Sequence, residues 1–518
     1  MKKKLLAILS TLSILALNSC QVPSIGIFFP SDSSSSAHTT SNSPSSSVIE
    51  TPSNNSSSTS ISQDQIDNPY RYGRDIREKY NNNYLPSLPS RGNSKMLVVP
   101  VLLKGESFIL GEDSVKSTLN KAFFGKSEET GFESVSSYYY KSSYGELNIQ
   151  GEVTSILNSN HTLSQLKLAK DSTSITDAIL KEAYDKFFLT SKYKVSDYDS
   201  NSDGYIDAIY LVYLTPYDGK YDGLWAYTYW GLDETYHSLG AYSWSSYYFA
   251  TTKPGYSKDK PDAHTYIHET GHLLSLDDYY DVDGTTAPTG GLTMMDLNIL
   301  DHDSFTKYAL GWTTPKVISK DTDIKDELTI ELKPFESSGE SLLIANNFNG
   351  SSFDEYLIVE FYTPTGLNEL DSKVQYETAK GFTTSGIKIY HVDQRLIKLD
   401  YTSQGWVYDN TKFYTPDRLD SLSSYSYYQV GASNSSSANY SLTGYDLITL
   451  MDASSRNGNN VFQYENKNAT NASLFTESSK SFLETFKNFK FHSGDKLPYD
   501  IKVDSISSTS ATIKITSI

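Results

Sequence analysis

The stretch Ala263-His-Thr-Tyr-Ile-His-Glu-Thr-Gly-His-Leu-Leu-Ser-Leu-Asp-Asp278 decides how this chain is interpreted, because it contains the spacing H-E-x-x-H. Residues four apart share one face of a helix, so His268 and His272 can present two imidazoles to one metal ion. Glu269 lies about 100° further round the helix, where it can reach a water at the metal but is not aimed as a ligand. The stretch therefore predicts a helix that carries a zinc site.

The third zinc ligand must come from elsewhere in the chain, because a catalytic zinc site has three protein ligands and one open position. No glutamate occurs between Glu269 and Glu327, which argues against a glutamate ligand on a helix shortly downstream. Asp278, six residues after the second histidine, is the predicted third ligand. Asp277 and Asp281 remain as alternatives.

The amino-terminal segment has the features of an export signal. Three lysines at positions 2–4 precede an apolar run, residues 5–17, that is too short to span a bilayer. Cys20, the only cysteine of the chain, follows in a setting that resembles the bacterial lipoprotein box. We therefore expect residues 1–19 to be a lipoprotein signal peptide. The lipid on Cys20 would hold the protein on the extracellular face of a bacterial cell membrane.

Residues 20–66 are expected to form a disordered tether between this anchor and a folded body. Ser, Thr, Asn and Pro dominate residues 31–63, and such a composition cannot bury enough apolar surface to fold. The whole chain carries a net charge of −18, which argues against nucleic acid as a partner.

The folded part, residues 67–518, is too long for a single core and predicts two or more domains. Up to residue 315 buried strand patterns, such as residues 96–103, mix with amphipathic helical patterns, which indicates an α+β fold. After residue 315 strand patterns dominate, at 328–332, 341–346, 356–362, 386–391, 447–450 and 501–516. We expect the metal site in a domain at 67–315 and a β-rich, sandwich-like C-terminal region at 316–518.

A second cluster of oxygen-bearing side chains precedes a predicted strand at residues 208–213. Side chains with oxygen alternate from residue 199 onward, with glycine at the sixth place, as at the start of a calcium-binding loop. The twelfth place is Tyr210 instead of glutamate, so the pattern is not a complete EF-hand, and an Asx-rich turn is the alternative. The candidate calcium ligands are Asp199, Asn201, Asp203, Tyr205 through its carbonyl, and Asp207.

Several stretches of the chain together resemble the immune inhibitor A family of bacterial zinc metallopeptidases. They are residues 137–148, the loop 199–207, residues 268–281, Lys307-Tyr-Ala-Leu-Gly-Trp312 and Gly386-Ile-Lys-Ile-Tyr-His-Val-Asp393. The resemblance implies a secreted zinc endopeptidase that cleaves proteins, built on a metzincin-like catalytic domain and stabilised by calcium.

The metzincin-like pattern is H-E-x-x-H-x-x-G-x-x-D, and it carries Asp278 into the place of the third ligand. Ser275 stands where the pattern has glycine, a departure that affects the turn after the helix, because glycine adopts positive φ with least strain. The pattern also implies a methionine-bearing turn beneath the ligands. Met295 is preferred for that structural role, with Met294 next.

The expected chemistry is hydrolysis of peptide bonds, with Glu269 as general base on a water activated by zinc. A tyrosine could assist the oxyanion, and the candidates are Tyr279, Tyr280 and Tyr308. His264 and His302 are expected to be structural neighbours of the site. His391 and Asp393 could form an extra metal site or a buried structural pair. The alternative function is a catalytically inactive surface adhesin or binding lipoprotein on a peptidase scaffold.

Overall fold

The computed structural model describes residues 88–168, 172–190, 192–202, 204–217, 222–230, 239–251, 255–256, 259–402, 405–409, 411–413, 427–431 and 444–518. The predicted signal peptide, Cys20, the tether and Asp203 lie outside this part of the chain. No helix of the described residues is long and apolar enough to cross a membrane.

The described chain contains several sheets and mostly short helices, which is an α+β architecture. The helices are α1 Glu112–Phe124, α2 Val135–Ser142, α3 Leu163–Leu168, α4 Ser172–Tyr184, α5 His264–Leu273, α6 Met294–Leu297, α7 Ser304–Ala309, α8 Phe335–Ser338, α9 Glu369–Lys373 and α10 Phe482–Thr485. The strands are β1 Gly92–Leu102, β2 Leu147–Val153, β3 Leu157–Asn158, β4 Ala208–Tyr213, β5 Tyr227–Trp230, β6 Ala241–Ser246, β7 Lys316–Ile318, β8 Glu327–Leu332, β9 Ser341–Ile344, β10 Glu355–Tyr362, β11 Gly386–Asp393, β12 Leu396–Thr402, β13 Gly405–Tyr408, β14 Tyr427–Gln429, β15 Ile448–Leu450, β16 Tyr499–Ile506 and β17 Ala511–Ser517.

The amino-terminal sheet has the strand order β2-β1-β4-β6-β5, with β3 also pairing with β1. Its strands run parallel except β5, which is antiparallel to β6 at the end of the order. A parallel sheet is covered on both faces, and the continuous apolar run of β1 fits this. Met96 and Val98 pack in the core that contains α5, whereas Leu97 and Val99 pack in the core that contains α4.

The C-terminal part is built from antiparallel pairs, except that β7 runs parallel to β9. One sheet has the order β15-β11-β10-β9-β7, a second has β16-β17-β8, and a third has β13-β12-β14. The first two share a hydrophobic core to which Leu357 and Val359 of β10 and Ile513 of β17 belong. The strand patterns expected after residue 316 therefore fall on observed strands, and two of the sheets enclose a common core.

The two parts of the chain also share a core across residue 315. Side chains alternate along β10, so Tyr356 and Ile358 belong to the core around α5, while Leu357 belongs to the core between the C-terminal sheets. Leu343 of β9 lies in the same core as Ile267 of α5. The helix α5, strands of the amino-terminal sheet and strands of the C-terminal sheet thus contribute to one continuous core.

Candidate metal centre

The helix α5 carries the H-E-x-x-H residues, and every one of its ten residues is buried. The helix ends where Ser275 adopts φ 70°. The Leu276 amide donates to the Gly271 carbonyl at 3.1 Å, and the Ser275 amide donates to the His272 carbonyl at 2.7 Å. These two bonds form a Schellman-type end, in which the residue at positive φ is usually glycine. Here serine takes that conformation, and the chain turns back toward the helix.

This turn brings Asp278 to the two histidines. The distance from Asp278 Oδ1 is 3.0 Å to His268 Nε2 and 3.1 Å to His272 Nε2, and the two Nε2 atoms are 3.1 Å apart. Donor atoms around a tetrahedral zinc ion are separated by roughly 3.3 Å, given metal–ligand distances near 2 Å. The three side chains therefore present one ligand atom each toward a common point.

Hydrogen bonds to the backbone orient both imidazoles. Nδ1 of His268 donates to the Met294 carbonyl at 2.8 Å, and Nδ1 of His272 donates to the Leu276 carbonyl at 2.8 Å. Because a carbonyl can only accept, each bond places a proton on Nδ1, so Nε2, which faces Asp278, is the nitrogen that would bind a metal. Asp278 Oδ2 is buried without a hydrogen-bond partner among the described residues. The donor set and this unsatisfied oxygen fit a divalent cation.

The alternatives to Asp278 lie elsewhere. Asp281 Oδ2 accepts from the amides and hydroxyls of Thr285 and Thr286, so it closes the loop that follows the site. Asp277 is half-buried. The structure groups only Asp278, of the three aspartates, with the two histidines as a possible metal site.

The charges of the three side chains are strongly coupled. Burial opposes ionisation of Asp278, but the adjacent imidazoles outweigh it and hold the pKa of that carboxyl well below its usual range. Burial lowers the pKa of His272, and the Asp278 carboxylate outweighs this effect and raises it to about 9. The group therefore retains a proton that a divalent cation would displace on binding.

Glu269 is buried beside β5, the strand at the end of the described amino-terminal sheet. Its Oε2 is 2.9 Å from the hydroxyl of Thr228 on β5, and that hydroxyl is 2.7 Å from the hydroxyl of Ser243 on β6. Burial raises the pKa of Glu269 above its ordinary value, and the imidazoles of His272 and His268 oppose the rise. Thr228 was not predicted from the sequence. The alternation of the strand around it could have shown which side chains face the helix.

Met294 and Met295 lie beside α5. Met295 is fully buried, and a Cβ added to Gly271 of α5 would lie 2.5 Å from its sulfur. The Met295 carbonyl accepts from the Tyr279 amide at 2.7 Å, while the Met294 carbonyl accepts from His268 as described above. The structure therefore places Met295 directly against the metal-site helix.

The other candidate histidines lie close by but outside the ligand group. His264 lies one helical turn before His268, with Nδ1 2.6 Å from Asp262 Oδ1 and Nε2 3.4 Å from Asp371 Oδ1. Burial lowers the pKa of His264, and the two carboxylates outweigh it and raise it to about 9. His302 is buried, neither ring nitrogen has a hydrogen-bond partner among the described residues, and burial keeps its pKa well below the usual value.

The three tyrosines considered as oxyanion donors are placed differently. The hydroxyl of Tyr279 is 2.9 Å from the Thr306 hydroxyl on α7. Tyr308 is buried with its ring 6.3 Å from that of Tyr356 on β10. Tyr280 is half-buried. These contacts do not single out a donor, so the oxyanion role remains a prediction for all three.

Backbone amides of the candidate calcium loop donate to two of its aspartate side chains. Asp199 Oδ2 accepts from the Gly204 amide at 2.9 Å, and Asp207 Oδ2 accepts from the Ser200 amide at 3.1 Å. Asn201 is exposed and Tyr205 half-buried. These bonds join the two ends of the loop, and with Asp203 outside the described residues the calcium ligands remain a prediction.

Comparison of the chain with protein-family models gives no match. None of the curated proteins matches the sequence either.

Proposed function

We propose that this protein is a zinc-dependent endopeptidase of the metzincin-like class. The observation that carries the proposal is the convergence of His268 Nε2, His272 Nε2 and Asp278 Oδ1 within 3.0–3.1 Å of one another. These three residues would hold the ion. Zinc bound there would supply Lewis acidity, which lowers the pKa of a water and polarises a substrate carbonyl.

Glu269 is the group that moves protons in this proposal. It follows His268 on the helix, so its side chain is adjacent to the ligands without being one of them. Its raised pKa brings the carboxylate closer to the pKa of a useful general base, because efficient proton transfer needs a pKa near the working pH. Glu269 would take a proton from the attacking water and deliver it to the leaving amine.

An extended peptide is the substrate that the surroundings favour. The strand β5 lies at the end of the amino-terminal sheet as described, and its Thr228 hydroxyl reaches the catalytic carboxylate. A peptide that adds to an edge strand is held by backbone hydrogen bonds, independent of most of its side chains. A scissile bond aligned along β5 would therefore lie beside Glu269.

The resemblance to the immune inhibitor A family suggests where the proposed enzyme acts. We extend it to a lipid-anchored enzyme that acts on extracellular proteins, with Cys20 as the anchor and calcium at the loop 199–207 as a stabilising ion. Both features depend on the sequence alone. Mass spectrometry of the membrane-extracted protein would detect the lipid on Cys20, and an unmodified thiol would contradict the anchor.

The test of the catalytic assignment is Glu269→Gln, which keeps the shape of the side chain and removes its basicity. We expect zinc content to stay unchanged and casein hydrolysis to fall by at least about 100-fold, the usual contribution of a general base. The control is Glu146→Gln, which removes the same charge at an exposed ion pair with Arg91. Full activity in Glu269→Gln would refute the role given to Glu269.

A further inference from the structure

A second cluster of histidines and carboxylates lies in the C-terminal part of the chain. Glu355 begins β10 and stands directly opposite Asp393 in the ladder with β11. His391 points to the same face of the sheet, because it is two residues from Asp393. His492 comes from the segment that precedes β16, so three distant stretches of chain meet at this place.

The donor atoms of this cluster all lie within 4.8 Å of one another, less tightly than those of the first site. Glu355 Oε1 is 3.0 Å from His391 Nε2 and 3.8 Å from His492 Nδ1. His492 Nδ1 is also 2.9 Å from Asp393 Oδ2. These separations bracket the roughly 3.3 Å expected between ligands of tetrahedral zinc. Glu355, His391 and Asp393 are buried, so the geometry is fixed by the surrounding sheets.

Other groups hold the carboxylates in position. Arg395 donates to both oxygens of Asp393 at 2.8 Å, and its guanidinium lies 3.4 Å from Glu355 Oε2. The Ser493 amide donates to the same Glu355 oxygen at 3.0 Å. Glu355 Oε2 is therefore engaged, while Oε1 accepts from the His492 amide and also faces the two imidazoles.

The charge of the cluster favours a cation. Two carboxylates face one guanidinium, which leaves a net negative charge when both imidazoles are neutral. Neutral imidazole and carboxylate together form a donor set that suits zinc.

The cluster is also accessible. A cavity of about 300 Å³ is lined by Glu355, Arg395, Phe491 and Ser493 among others. The side chain of His492 is 16% exposed, whereas that of His391 is 4% exposed. The cluster therefore borders the cavity through Glu355, and His492 is the member of the cluster that is partly exposed to solvent.

We propose that Glu355, His391 and His492 form a second zinc site, with Asp393 and Arg395 holding His492 and Glu355 in position. The ion would join β10 and β11 to the segment before β16 and so fasten the C-terminal sheet that contains β16 and β17. Its elements are separate from α5, and it can bind zinc whether or not the first site is catalytic.

The first test measures zinc per chain in the full-length protein after dialysis, by elemental analysis. The wild type should hold about two ions. His492→Phe removes the donor nitrogen but keeps an aromatic ring against Tyr445, whose ring lies 3.9 Å from that of His492 at 12°. This variant should lose one ion. The control is Ser493→Ala, which keeps the backbone amide bond to Glu355 and should retain both ions.

A second variant separates this proposal from the proposed function. His272→Ala removes a ligand of the first site, and it should retain one zinc that His272→Ala/His492→Phe loses. If His272→Ala holds no zinc, or if His492→Phe leaves the wild-type content unchanged, the second site is refuted. If His492→Phe loses one ion while His272→Ala loses none, the second site stands and the first assignment fails.

A thermal measurement gives the same decision without the His272 variant. Adding zinc to chelator-treated wild type should raise the midpoint of unfolding, because a ligand that binds only the folded state stabilises it. The rise should be smaller in His492→Phe than in the wild type, and in Ser493→Ala it should be as large as in the wild type. Equal rises in the wild type and His492→Phe would overturn the proposal.

Discussion

Asp371 links the metal-site helix to the C-terminal part of the chain. It belongs to α9, and its Oδ1 accepts from the Tyr256 hydroxyl at 2.8 Å and lies 3.4 Å from His264 Nε2. Its Oδ2 accepts from the Leu300 amide at 2.6 Å. His264 is one turn before His268 on α5, so this carboxylate fixes the beginning of the helix that holds the ligands. We expect Asp371→Asn to destabilise the fold and to weaken zinc binding.

The size of the effect follows from the pKa of His264. It rises from 6.5 to about 9 on folding, because the two carboxylates outweigh burial. A histidine with a raised pKa adds stability below pH 6.5, and this contribution is lost as the pH rises through about 9. At pH 7 the shift is worth about 2.5 kcal/mol. Asp262 contributes more to the raised pKa than Asp371 and keeps its contact with His264 in Asp371→Asn, so the variant should lose only part of this stabilisation, roughly 1 kcal/mol at pH 7.

The assay compares urea unfolding of the wild type and Asp371→Asn at several pH values from about 6 to 10. Between pH 6.5 and about 9 the wild type should lose more unfolding free energy than the variant, because His264 in the variant has a lower pKa. The control is Asp326→Asn at an exposed position. Equal pH dependence in Asp371→Asn and the wild type would refute the role given to this buried ion pair.

Three further substitutions probe the site. Ser275→Gly should stabilise the protein by about 0.5–1 kcal/mol in thermal unfolding, because glycine accepts φ 70° without strain, and Ser275→Ala should give no gain. Gly271→Ala should lower the free energy of unfolding by about 1–3 kcal/mol, because the new methyl group meets the Met295 sulfur. Adding Met295→Ala to this variant should recover part of the loss. An unchanged Tm in Gly271→Ala would contradict the contact. Thr228→Val should raise the pKa of Glu269 and move the acidic limb of the pH–rate profile to higher pH; an unmoved limb would show that the hydroxyl does not tune the base.

Local patterns in the sequence were sufficient to predict much of the site. Residues four apart, such as His268 and His272, lie on the same face of any helix. The six residues from His272 to Asp278 are enough for the chain to leave the helix and turn back toward the two histidines. The continuous apolar run of β1 and the strand patterns after residue 316 are equally local. These features need no knowledge of the fold, so the structure places them as expected.

Contacts between distant residues were not predictable in this way. Thr228 reaches Glu269 only because β5 is antiparallel at the sheet edge, and Asp371 reaches His264 across 107 residues. The sequence suggested His391 and Asp393 as a pair, but in the structure His391 contacts Glu355, whereas Asp393 contacts Arg395 and His492. Glu355 joins them through the ladder between β10 and β11, and His492 through the packing of the segment before β16.

The division of the chain at residue 315 shows the same contrast between local patterns, which the sequence reveals, and long-range contacts, which it does not. Composition changes there, and strand patterns replace mixed ones. Side chains of β9 and β10 nevertheless belong to the same core as α5, because alternate residues of a buried strand serve both faces of its sheet. The sequence shows where the pattern changes, but not that the second region supports the first.

The most direct test of the central claim is hydrolysis of casein by the purified full-length protein, with zinc content measured on the same sample. We predict bound zinc, cleavage that a chelator abolishes, and recovery of cleavage when zinc is returned. Asp278→Ala should lose the recoverable activity along with its zinc, while Asp281→Ala should keep the ligand group intact. Cleavage that persists in Asp278→Ala or survives the chelator would contradict the account, as would a wild-type protein that binds no zinc.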